Sequence, residues 1–202
     1  MSKYTWKLIG YDVLNPRSRG DDTNYITAKL FVNDQPIGAP QTKFMGDQGK
    51  GSYGNVDFTW AGVDVPDEIS TTRVKLYYQI MNLGNMKQVD AEKMLTDIMA
   101  KKNPKSDSSM PTETPKEDEG GSSWLALIFA WFAERSIKAL FADCDGPIGP
   151  LDGRTVVWES FELKGIPQGT PYEETVHEHG NDSPIGCGAN SRYTVHFSTL
   201  RH

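Results

Sequence analysis

Apolar and polar residues alternate with a period of two through the first and last thirds of the chain, and the alternation breaks in between. No other feature limits the possible folds as much. Tyr4, Trp6 and Leu8, then Tyr11 to Leu14, give one apolar strand with a bulge expected near Gly10. Residues 25–32 follow, with Ile26, Ala28, Leu30 and Val32 on one side and Thr27, Lys29 and Phe31 on the other. Asn33-Asp34 then turns the chain. After a Gly/Pro-rich connection come 56–60 (Val56, Phe58 and Trp60 in register) and 73–81. In the last third, 155–163, 173–179 and 192–199 read as three further strands.

Strands at this spacing, with turn clusters between them, predict a mainly β protein. The expected architecture is one β-sandwich domain over 1–202, built from N- and C-terminal strand sets. A helical insertion over 86–142 interrupts it. From Asp90 to Lys102 the period changes, and Ala91, Met94, Leu95, Ile98 and Met99 share one helical face. Residues 103–121 (NPKSDSSMPTETPKEDEGG) hold too little apolar surface to order themselves and are expected to be a flexible linker. Ser122-Ser123 offers an N-cap to a second, more apolar helix over 124–141, completing a helical hairpin. Its run Trp124–Ala133 is ten uninterrupted apolar residues, too short to span a bilayer, which takes about 20.

Charge limits the partners. The chain carries a formal net charge of −6, which gives no basic footprint for phosphate backbones and disfavours nucleic acid. Anionic membrane surfaces are disfavoured for the same reason. The first residues, MSKYTWKLIGYDVLN, show no apolar leader core and read as a strand. The cytoplasm is therefore the default location, with export lacking an N-terminal signal as the alternative. Two cysteines, Cys144 and Cys187, are too few for a disulfide framework. A single bridge between them would contribute roughly 3–4 kcal/mol in an oxidising compartment; the alternative is two free thiols.

Three groups of residues are candidate sites. The first is acidic and loop-borne: Asp21 and Asp22, Asp47, and Asp143, Asp145 and Asp152 in FADCDGPIGPLDG. Hard cations such as Ca²⁺ take about six to eight oxygens from carboxylates and carbonyls on tight turns. The ordered acidic series of an EF-hand is missing, and turn-capping Asp residues are the structural alternative. The second group is His177, His179 and His196. With Val176, Tyr193, Val195 and Phe197 facing the core, these histidines fall on the solvent side of one hairpin, where imidazoles suit Zn²⁺. The third is the apolar helix 124–141, either packed against the β-core or turned outward as a membrane-active or toxin-like element. A homo-oligomer interface would use the same helix. GDQGKGSYG lacks the G-K-[ST] order of a phosphate loop and reads as a strand connection. No G-x-S-x-G or papain-like cysteine context is present.

The segments SRGDDTNY, MGDQGKGSYG, DCDGPIG and CGANSRYTVHFS resemble a group of microbial β-sandwich-like proteins with SR-x-x-D-T-x-Y, M-G-D, C-D-G and S-R-Y segments around a variable helical middle. The resemblance covers both β halves and implies no activity. It singles out Asp21, Asp22, Asp47, Asp143, Asp145 and Arg192. The function expected is a non-enzymatic ligand-binding module, Ca²⁺-assisted and directed at a glycan or other small molecule. Its ligand would meet loop-borne Asp, Asn and Gly at one end of the sandwich. The alternative is the membrane-active reading through 124–141.

Overall fold

The computed structural model describes residues 1–17, 21–66, 72–84, 86–102, 146–148, 153–180 and 191–202. Among these residues ten strands form two antiparallel sheets. In the first sheet β1 (Ser2–Asn15) pairs with β10 (Arg192–Arg201), and β10 pairs with β9 (Pro171–His179). The other edge of β1 is shared by β5 (Phe58–Val65), along its first half, and β4 (Gly51–Tyr53), along its second. In the second sheet β2 (Asp22–Val32) lies between β3 (Gln35–Gln48) and β6 (Arg73–Asn82). Beyond β6 come β7 (Gly146–Ile148) and β8 (Arg154–Glu159). Both sheets combine strands from the two ends of the chain.

The alternation explains the core. Tyr4, Trp6, Leu8, Tyr11 and Val13 point inward from β1, the parity shifting at a bulge between Leu8 and Gly10 as the sequence predicts. They meet Ile26, Ala28, Leu30 and Val32 of β2, Val74 to Ile80 at alternate positions of β6, and Tyr193, Val195 and Phe197 of β10. Ring pairs such as Tyr4–Trp6 (5.3 Å) and Tyr78–Phe197 (5.4 Å) fill the layer between the sheets.

The second sheet is buried on its outer face too, because helix α1 (Gln88–Lys101) covers it. Ala91, Met94, Leu95, Ile98 and Met99 pack on Tyr25, Phe31, Tyr77 and Met81. Each fully buried Met, Leu or Ile contributes about 1.5–3 kcal/mol. Lys29 donates to the carbonyl of Ala100 at the helix C-terminus (3.1 Å), a favourable place for a cation. Its burial holds the ammonium pKa below the usual lysine range.

Two expectations need correction. The Gly/Pro-rich stretch after Asp34 is a 14-residue strand, β3, rather than a loose connection. Asn33 and Asp34 both adopt positive φ (48° and 64°), the two-residue turn whose twist matches paired strands, so the chain doubles straight back along β2. Residues 155–163 are not one strand: β8 ends at Glu159, and α2 (Ser160–Gly165) begins under a capping box formed by Glu159 and Glu162. The linker 103–121 and the helix 124–141 lie outside the described residues.

Side chains close both flanks of the sandwich. On one, Arg154 of β8 donates through Nε and Nη2 to the two carboxylate oxygens of Glu178 on β9, at 3.0 Å each. Tyr78 donates to the same carboxylate and Trp158 Nε1 to Glu174. On the other flank, Gln41 Nε2 donates to the Thr59 carbonyl (3.3 Å) and Lys43 Nζ to the Asn55 carbonyl.

Candidate functional site

The hairpin that starts at Asn33-Asp34, with register shifts between Ala28 and Leu30 and between Asn24 and Tyr25, sets Asp22 opposite Gln48 and Thr23 opposite Asp47. The start of β2 and the end of β3 therefore carry their polar residues to one pole of the sandwich. The end of β1, the end of β6, the start of β7 and the β9–β10 junction reach the same pole. The parity of β2 and β3 sorts these residues: Asp22 and Gln48 face the interior, while Asp47 and Asp21 are exposed.

The interior set is one connected hydrogen-bond network. Asp22, fully buried, accepts through Oδ2 from the backbone N–H of Arg17 (2.6 Å) and the Tyr193 hydroxyl (2.7 Å). Its Oδ1 accepts from Asn82 Nδ2 (3.2 Å), whose own Oδ1 accepts from the Thr23 N–H (2.9 Å). Asn24 Nδ2 donates to the Tyr193 oxygen (3.0 Å) and to Gln48 Oε1 (3.2 Å), which also takes the Tyr11 hydroxyl. Buried Arg17 donates through Nη1 to the Pro147 carbonyl of β7 (3.0 Å). Burial pushes the phenols of Tyr11 and Tyr193 far up, with the Asp22 charge a further cause at both. Both therefore stay neutral donors. Among the described residues, two buried oxygens at this pole, Asn24 Oδ1 and Ser191 Oγ, have no hydrogen-bond partner.

Above this network lies a rim rich in oxygen. Asp47 accepts from the Thr23 hydroxyl (2.6 Å). Asp21 lies against Gly49, where a Cβ would stand 2.6 Å from its Oδ1, so glycine makes the room the carboxylate occupies. Tyr53 donates to the Gly49 carbonyl (3.0 Å) and fixes that loop. Across the pole, exposed Arg192 pairs with Asn15 of β1 on one side and His179 of β9 on the other. Asp21, Asp22, Asp47 and Arg192, from three segments separated widely in sequence, thus share one end of the fold.

The histidine reading is right about faces. Val176 and Val195 pair inward, and His177, His179 and His196 occupy the outer side of the first sheet. His177 Nδ1 is 3.0 Å from the Thr194 hydroxyl, and His196 Nε2 is 2.9 Å from Asp12 Oδ2. Among the described residues no group of three or more His, Cys, Asp or Glu is placed to hold a metal ion. Asp143, Asp145, Asp152, Cys144 and Cys187 lie outside the described residues. Among the described residues no helix is long and apolar enough to cross a membrane.

Sequence reasoning missed the interior partners Arg17, Asn24, Gln48, Asn82 and Tyr193, and it missed the Glu178–Arg154 pair. The second left a signal. Choosing Val176 as inward forces Glu174 and Glu178 inward by parity, and a buried carboxylate needs a donor. Compared with protein-family models, curated proteins and solved structures, the chain matches none. The fold itself defines the class: an antiparallel β-sandwich with a helix laid over one sheet.

Proposed function

We propose that the chain is a non-enzymatic binding module whose ligand end is the pole carrying Asp21, Asp47 and Arg192, and that it takes a carbohydrate with the help of Ca²⁺. The observation that supports this reading is the division of labour at the pole. Buried Asp22, Asn24, Gln48 and Tyr193 hold three strands in fixed register, while exposed Asp47 and Arg192 stand on two of those strands and exposed Asp21 immediately precedes the third. A site preorganised by rigid neighbours loses less entropy on binding than one on loose loops.

Two rim carboxylates are too few to chelate Ca²⁺ alone, since the ion takes about six to eight oxygens. Vicinal sugar hydroxyls and water would complete the shell, so ion and sugar would bind together. Arg192 would donate to ring or hydroxyl oxygens. The test is a glycan array probed with the full chain at millimolar Ca²⁺ and again in EDTA. Expected is binding to a restricted set of glycans that EDTA abolishes and the double variant Asp21→Asn/Asp47→Asn loses. Binding that ignores EDTA and the double variant, or no binding to any glycan, would overturn the proposal.

A further inference from the structure

We propose that His177 and His179 form a two-imidazole clip for a late first-row divalent ion of the Cu²⁺, Ni²⁺ and Zn²⁺ class. Ligand chemistry separates this site from the binding pole. Hard Ca²⁺ takes oxygen ligands, whereas neutral imidazole nitrogen suits the late transition ions. The inference does not rest on the glycan reading.

The spacing comes from the strand. Val176 packs on the core and Glu178 meets Tyr78 between the sheets, so His177 and His179 share the outer face of β9. Residues two apart on a strand are about 7 Å from Cα to Cα. Two imidazoles at that separation can each bring a nitrogen to about 2.0–2.1 Å from an ion set between them. Both residues are exposed, so an ion in solution reaches them without any change in the core.

Register selects this pair from the three histidines of the face. His177 lies opposite Thr194 and His179 opposite Arg192, while His196 lies opposite Thr175. Thr175 is four residues from His179, about 13 Å along the strand. His196 is also drawn toward β1, its Nε2 2.9 Å from Asp12 Oδ2. His177 is anchored on β10 instead, with Nδ1 3.0 Å from the Thr194 hydroxyl. Metal-ligating histidines commonly have their second ring nitrogen hydrogen-bonded in this way; the contact fixes the ring and leaves Nε2 for the ion.

With two protein ligands the site is open. Among the described residues no third His, Cys, Asp or Glu joins the pair in one group, so water fills the remaining positions. That is the condition of an exchangeable centre rather than a closed structural one. Two neutral imidazoles leave the charge of the ion uncompensated. Exposed Arg192, directly across from His179 on the same face, adds a like charge that opposes it.

The test is a Cu²⁺ titration of the full chain followed by pulsed electron paramagnetic resonance, with Zn²⁺ as competitor and Ca²⁺ as control. Expected is a saturable species with two imidazole nitrogens, displaced by Zn²⁺ and untouched by millimolar Ca²⁺. His177→Asn and His179→Asn should each weaken it at least tenfold and leave one nitrogen in the spectrum. Both sites are exposed, so far-ultraviolet circular dichroism should show the fold unchanged in either variant. Thr194→Val should weaken binding severalfold, Arg192→Gln should tighten it severalfold, and His196→Asn should alter it less than twofold. A two-imidazole species that survives either His177→Asn or His179→Asn, or that His196→Asn abolishes, would overturn the proposal. So would displacement by Ca²⁺, or no such species at millimolar Cu²⁺.

Discussion

Replacing Asp22 by asparagine keeps its volume and removes its charge, and the geometry around it sets the cost. The asparagine oxygen can take the place of Oδ2 and continue to accept from the Arg17 N–H and the Tyr193 hydroxyl. Both bonds then become neutral, losing about 1 kcal/mol each relative to their charge-assisted form. The new amide nitrogen must face Asn82 Nδ2, donor against donor. Asn82 cannot turn its oxygen to meet it without abandoning the Thr23 N–H. An unmet buried donor costs about 1–3 kcal/mol. The sum is about 3–5 kcal/mol, measurable by urea denaturation followed through the fluorescence of the five tryptophans. Because the same carboxylate receives Tyr193, the Asp22→Asn and Tyr193→Phe losses should not add, and a double-mutant cycle should return a coupling of about 1 kcal/mol or more. A loss below about 1 kcal/mol for Asp22→Asn, with additive behaviour, would refute the claim that this network holds the pole together.

Other expectations follow from single contacts. At Gly10 a Cβ would collide with the carbonyl oxygen of Tyr53, so Gly10→Ala should cost about 1–3 kcal/mol and loosen β4, seen as faster amide exchange over 51–53. Met94→Ala opens a cavity between α1 and the second sheet, with an expected loss of about 2–5 kcal/mol in thermal or urea denaturation. The hydroxyl of Ser52, and then His196, hold the Asp12 carboxyl below its usual range. A depressed folded-state pKa stabilises above the unfolded carboxylate range and loses that contribution as pH falls through the folded value. Asp12 is partly exposed, so the term is only about 0.2–1 kcal/mol; Asp12→Asn should remove that part of the acid-side slope of stability against pH.

Period-two patterning made most of the fold legible, because a strand with one face on a core must alternate. Tyr4, Trp6 and Leu8, and Ile26 through Val32, announce their faces directly, and the bulge at Gly10 is visible as a slip in parity. β3 was hidden because its residues are mostly half-exposed at a sheet edge and include prolines and glycines that protect that edge. The break at Ser160 was hidden because Ser160 keeps the parity of buried Trp158, and a six-residue helix that buries only Ser160 and Leu163 is too short to show a period of its own. At the pole, the exposed Asp21 and Asp47 could be picked out as loop-borne acidic residues, and Arg192 through the resemblance of its S-R-Y segment. Asn24, Gln48, Asn82 and Tyr193 could not, since their meaning depends on strand pairing between segments as distant as 24 and 193. Hydrogen-bond partners far apart in the chain leave no local periodicity.

The most direct test of the binding pole is a ¹⁵N–¹H correlation titration of the full chain with Ca²⁺ to about 10 mM, alone and with methyl α-mannoside or methyl β-galactoside. Isolated low-charge Ca²⁺ sites bind with dissociation constants of about 10⁻⁴–10⁻³ M, within reach of that range. The account predicts saturable shifts at the amides of Asp21, Thr23, Asp47, Gly49 and Arg192, enlarged when the right sugar is present, with α1 unmoved. No saturable shift under any of these conditions, or shifts centred on α1 or the outer histidine face, would contradict it.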